Sequence, residues 1–164
     1  MNEKSFQDYY PESLRHCYGC GAENPHGLHI RSFWDGEESV AVFQPREYHL
    51  AFPGYVYGGL LASLIDCHCV GTAAAAAYRE EGRELGTLPA FRYVTASLQV
   101  DYLKPTPLGP PIEIRARVEE IKGRKTILTA TVSAGPEISV KGRVIAVRIP
   151  EHLVPESSGK RLKG

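Results

Sequence analysis

The spacing of apolar residues changes along the chain, and each change marks an element. Leu28–Trp34 and Ser39–Phe43 are β-prone runs, and Asp35-Gly36 between them is a hairpin signal. Pro45–Tyr55 reads as a loop, because Pro45, Pro53 and Gly54 all discourage continuous structure. From Val56 to Arg79 the period becomes helical. Leu60, Leu61, Leu64 and Ile65 form an apolar face, and Ala73–Ala77 have the highest helix propensity of any residue type. A helix that is apolar nearly all round is wrapped by the rest of its domain. Arg79–Arg83, with Gly82, end it. Period two then takes over. Arg92–Tyr102 alternates through Val94, Ala96, Leu98, Val100 and Tyr102, and Ile112–Ile121, Thr126–Val132 and Val140–Ile149 follow. Turns at Lys122-Gly123-Arg124 and around Gly135-Pro136 predict an antiparallel meander. The order β-β-α-β-β-β-β predicts an α+β fold, one antiparallel sheet wrapped around one long central helix.

The 164 residues fit one domain, and 43% hydrophobic residues suffice for a core without disulfides or metal. Residues 1–16 read as an N-terminal arm, 17–150 as the folded domain and 151–164 as a Ser/Gly/Lys-rich tail without fixed structure. Lys plus Arg and Asp plus Glu balance at 19 each, which argues against nucleic acid as a partner. The apolar run Leu60–Ala77 is broken by Ser63, Asp66, His68 and Thr72, so no membrane span is expected. Met1–Gln7 is polar, unlike a signal peptide, and a cytoplasmic location is the expectation.

Four cysteines form two close pairs, Cys17/Cys20 and Cys67/Cys69. Without an export signal this argues against a disulfide framework. Cys17-x-x-Cys20 with His26 or His29 has some of the character of a zinc site. The two His are only three residues apart on a turn, however, and small buried cysteines closing a loop explain the pattern as well. The expectation is no metal.

The segment richest in chemistry runs from Tyr57 to Asp66. Gly58 and Gly59 open the helix, leave its first amides exposed and let a ligand approach. Such an N-terminus carries partial positive charge and stabilises a developing oxyanion. Asp66 is a carboxylate among Leu64, Ile65 and Cys67, costly there without a partner. Eight residues separate Gly58 from Asp66, roughly 12 Å of helix. An oxyanion donor and an attacking group must both lie about 3 Å from one carbonyl. If both act, the helices of two chains must lie antiparallel in a homodimer, with Gly58 of one facing Asp66 of the other. The same residues also fit a structural reading, in which the glycines allow tight packing and Asp66 caps a loop or binds a tyrosine hydroxyl.

Tyr57-Gly58-Gly59 followed by Asp66 resembles the His-Gly-Gly motif and downstream acid of the PaaI-like branch of the hotdog thioesterase superfamily. Cys17-Tyr18-Gly19-Cys20-Gly21 through Asn24-Pro25-His26-Gly27-Leu28 is similar to that family's N-terminal element, and Val100–Thr106 to its Tyr-x-(Arg/Lys)-Pro strand end. The resemblance implies a hotdog fold over residues 17–150. It also implies homodimers, possibly tetramers, with sites between subunits, and hydrolysis of acyl-CoA without metal or cofactor. On this reading the Gly58 N–H holds the thioester carbonyl oxygen. Asp66 of the partner subunit is the nucleophile or the general base. Tyr57 stands where the family usually has His; its hydroxyl can shape the helix start in the same way, or the change marks a subgroup with altered chemistry.

Tyr57, Gly59, Lys104, Arg124 and Lys125 are candidates for substrate contact, the three cations because flexible charges at strand ends suit CoA phosphates. Plain surface charge explains those cations equally well. Tyr48, Phe52 and Tyr55 line an acyl pocket or pack the loop. His49 lies near the helix, and His68 points to another face from Asp66 and reads as structural. Ser63 lacks a nucleophile elbow. The rival functions are a non-catalytic acyl-CoA or acyl-carrier binding module, and a zinc- or redox-linked interaction protein. A dehydratase on this fold lacks its paired Asp and His around Asp66.

Overall fold

The computed structural model describes residues 3–153, so most of the tail expected to lack fixed structure falls outside the described residues. Six strands and one long helix follow the predicted order. The hairpin β1 (Ser32–Asp35) and β2 (Glu38–Phe43) turns at Gly36, whose φ of 63° favours glycine. β1 starts four residues later than expected. His29 adopts φ 54°, and Leu28 and Ile30 donate to Tyr18 O and Gly19 O, so residues 28–31 are bonded to the cysteine loop. Helix α1 (Gly58–Glu80) follows, and Gly82 just beyond it has φ 62°.

The last four strands are β3 (Tyr93–Tyr102), β4 (Ile112–Lys122), β5 (Lys125–Ser133) and β6 (Ile138–Arg148). The sheet order β1-β2-β4-β5-β6-β3 corrects the expected meander. Only β4-β5-β6 is one; β3 skips its neighbour in sequence and pairs antiparallel with β6 at the sheet edge. Between β3 and β4 lie Pro105, Pro107, Pro110 and Pro111, which bar a tight hairpin by removing backbone donors.

Alternate residues of β4, β5 and β6 face the helix. Ile112, Ile114, Leu128, Val132, Val140 and Val144 have no exposed surface, nor do Leu64 and Ile65 opposite them. Gly142 interrupts this inward row. A Cβ there would come within 2.8 Å of Ile65 Cγ2, so the glycine forms the recess in which the helix sits. By length and composition α1 would suit a membrane span, but it is mostly buried inside the sheet. This is the hotdog arrangement.

The N-terminal arm forms two short 3-10 turns, Phe6–Tyr9 and Glu12–Leu14. Phe6 is buried against Trp34, with ring centroids 5.1 Å apart.

Candidate active site

Helix α1 carries polar chemistry at two levels. At its start, Val56 N–H donates to Thr106 O (2.9 Å) and Tyr57 N–H to His49 O (2.8 Å), which fixes how the chain enters the helix. The Gly58 and Gly59 amides have no acceptor among the described residues, as the geometry of a helix start dictates. The Tyr102 hydroxyl donates to Gly58 O at 2.7 Å. A Cβ on Gly59 would lie 2.5 Å from the Tyr57 ring, and one on Gly58 would lie 3.2 Å from the Tyr102 ring. Tyr57 thus shapes the helix start with its ring and its backbone N–H. A cleft of about 300 Å³ beside this turn is lined by Tyr18, Tyr48, His49, Tyr57, Leu60 and Ser63.

Two turns on, Asp66 is half-buried. The Thr95 hydroxyl of β3 donates a short hydrogen bond to its Oδ1. A second cavity, of about 220 Å³, opens here, walled by Leu14, Val70, Ala74, Phe91, Thr95 and Asp66 itself. The helix is unbroken between the two levels, so the separation of roughly 12 Å stands. One chain therefore holds two separate clefts along this helix, one lined by Gly59 beside the free amides and one by the Asp66 carboxylate.

The candidate cations divide between the same two ends. Lys104 follows Tyr102 at the Gly58 end, where its Nζ pairs with Glu137 at 2.5 Å. Arg124 and Lys125 are exposed at the β4–β5 turn. Adjoining Thr126 aligns through Ala146 with Thr95, which puts them at the Asp66 end. Tyr48, Phe52 and Tyr55 are exposed, so in a single chain they do not line a closed acyl pocket. Ser63 donates to Gly59 O (2.9 Å) within its own helix. His49 accepts from Arg46 N–H at 2.9 Å, and burial followed by the Arg46 charge lowers its pKa.

His68 is structural, as its helical phase predicts. Its Nδ1 lies 2.8 Å from Ser32 Oγ and its Nε2 lies 3.0 Å from Ser39 Oγ. The Thr72 hydroxyl donates to His68 O at 2.7 Å. The ring has no exposed surface, and burial pushes its pKa down to about 4.

Cys17, Cys20 and Cys67 also line the Asp66 cavity. The Cys20 and Cys67 thiols, followed by backbone N–H groups, hold the Cys17 sulfur far below its usual range. Cys17 in turn pushes Cys20 up, and Cys17 with Cys20 pushes Cys67 up. Cys69, paired with Cys67 by sequence spacing, lies apart; burial, then the charge of Asp66, raises its pKa. Sequence reasoning missed Thr95, which falls on the ordinary polar phase of its strand, and the union of Cys67 with the N-terminal pair; it placed Tyr102 only as the tyrosine of the strand-end motif.

The sequence profile of the thioesterase superfamily matches residues 53–141, over half of the chain, and spans both levels of α1. The chain belongs to the thioesterase superfamily. A thioesterase superfamily protein from Shewanella loihica is 40% identical, covering 88% of this chain and 99% of that one with a TM-score of 0.67. The E. coli PaaI protein from the phenylacetic acid degradation operon, 17% identical with a TM-score of 0.61, covers 75% of this chain and 81% of its own, and shares the fold. Acyl-coenzyme A thioesterase THEM4 of Xenopus laevis is 37% identical over 93 residues, 57% of this chain and 36% of that protein. Its Rattus norvegicus counterpart is 29% identical over 125 residues, 75% and 48% respectively. This superfamily member thus spans less than half the length of these curated relatives.

Proposed function

We propose that this chain hydrolyses acyl-CoA thioesters at two equivalent sites, each shared between two antiparallel copies. One observation carries the reading: the unpaired Gly58 and Gly59 amides open one unbroken helix beside a cleft that Gly59 lines, and the Asp66 carboxylate borders a separate cavity two turns on. A two-fold axis brings each into reach of the other's substrate. The exposed edge strand β3 supports this, because Val94 and Leu98 stand 48% and 38% exposed on it and a second sheet would cover them.

In the assembled site the Gly58 N–H receives the carbonyl oxygen and stabilises the negative charge that develops there. Asp66 of the partner subunit, its Oδ1 held by Thr95, supplies the attack. As a base it takes a proton from water, the new C–O bond forms, the C–S bond breaks and the proton passes to the departing CoA thiolate. As a nucleophile its carboxylate oxygen bonds to the carbonyl carbon, the C–S bond breaks and CoA leaves as the thiolate; water then opens the resulting anhydride, freeing the acid, restoring the Asp66 carboxylate and supplying the proton the thiolate takes up. The apolar cavity wall of Val70, Ala74 and Phe91 suits an aliphatic or aryl acyl group. Arg124 and Lys125 of one copy, with Lys104 of the other, reach the phosphates.

CoA release from a panel of acyl-CoAs, by wild type and by Asp66→Asn, tests the reading. Turnover by wild type that the substitution abolishes supports it. Tight binding of acyl-CoA by wild type with no turnover refutes hydrolysis and favours a binding module, the reading that Tyr57 in place of His favours. A protein that stays monomeric at assay concentration while turning over refutes the shared site.

A further inference from the structure

The Cys17, Cys20 and Cys67 sulfurs lie within 4.8 Å of one another, with Cys17 Sγ and Cys67 Sγ 3.8 Å apart. Tetrahedral zinc with Zn–S bonds of about 2.3 Å has sulfur–sulfur edges of about 3.8 Å, since the edge is about 1.63 bond lengths. The match comes from residues 50 apart in sequence.

Two glycines make the approach possible. A Cβ on Gly19 would lie 2.1 Å from Cys67 Sγ, and one on Gly21 would lie 2.4 Å from Cys17 N. The loop therefore has no side chain at the point where the helix thiol enters it. Gly21 N–H closes the Cys17–Cys20 turn on Cys17 O at 2.8 Å.

From this geometry we infer that Cys17, Cys20 and Cys67 bind one zinc ion, which ties the N-terminal loop to helix α1 beside Asp66. An all-sulfur set selects a thiophilic metal over magnesium or calcium. In the complex all three ligands are thiolates, the protons still on the cysteines passing to solvent, and three thiolates around one divalent cation carry a net charge of minus one. Tyr10 lines the same cavity as the three cysteines, so the fourth position is completed by water or by the Tyr10 hydroxyl. The His partners suggested by spacing are elsewhere: the His29 ring is bonded to Asn24 O at 2.5 Å, and His26 is exposed.

The inference is independent of thioester hydrolysis. Full-length protein purified under reducing conditions is expected to keep close to one equivalent of zinc per chain through dialysis. Cys17→Ser, Cys20→Ser and Cys67→Ser are each expected to lose it, while Cys69→Ser keeps it. Cobalt added to chelator-stripped wild type provides a readout that needs no variant, through thiolate-to-cobalt charge-transfer and tetrahedral d–d absorbance. Zinc below about a tenth of an equivalent after reconstitution, cobalt spectra without thiolate bands, or a disulfide joining two of the three cysteines in reduced preparations would each overturn it.

Discussion

Asp66 and His68 stand two residues apart on one helix and live in opposite circumstances. The His68 face is closed. Both ring nitrogens, Ser32, Ser39 and Thr72 satisfy one another, and Gln7 Oε1 accepts from Ser32 N–H at 2.8 Å. Across the helix Asp66 has one hydroxyl partner and borders a cavity. A polar group whose bonding capacity is filled holds a fold together, whereas one left partly unfilled can bind something else.

The largest expected effect is on the open face. Asp66→Asn should lower kcat for acyl-CoA by about 10²–10⁴-fold, with the melting temperature little changed, as steady-state kinetics and calorimetry would report. A comparable loss of stability would break the contrast. His68→Ala should do the reverse. It strands the Ser32 and Ser39 hydroxyls and leaves a void, costing about 3 kcal/mol in urea unfolding, while turnover per folded molecule stays within about two-fold.

Acid should single out the closed face. Unfolded His68 titrates near 6.5 and folded His68 near 4. Between those values the unfolded chain binds more protons, so this contribution is complete above about pH 6.5 and is lost as pH falls toward 4. The loss is of order 3 kcal/mol. Urea midpoints against pH for wild type and His68→Gln would check this; equal slopes for the two would refute it. The smallest effect is expected from Thr95→Val, which removes the hydroxyl and keeps the branched shape. It should lower kcat about five- to ten-fold through loss of one hydrogen bond to Asp66, with KM and stability nearly unchanged.

Much of the fold was legible because it is written locally. The Asp35-Gly36 hairpin, the alanine-rich helix and the alternation of β4, β5 and β6 each follow from neighbouring residues. The placement of β3 does not, since period two says which face a residue takes and nothing about which strand lies alongside. Gly58, Gly59 and Asp66 were legible because an unpaired amide and a carboxylate amid apolar residues are costly wherever they occur. Thr95 was not, being an ordinary strand residue that meets Asp66 29 residues away, and the strand-end motif that singled out Tyr102 said nothing of its contact with Gly58, 44 residues away. The cysteines misled for the same reason, as the natural pairing by sequence joined Cys67 to Cys69 and hid its meeting with Cys17.

Gly142 has a wider reach than one recess in β6. The absent methyl group sets how deep Ile65 seats, and Ile65 immediately precedes Asp66. Because free amides and carboxylate ride on the same rigid rod, lifting that rod would displace both clefts at once. A single hydrogen in place of a carbon thus acts as a calibration stop for the helix.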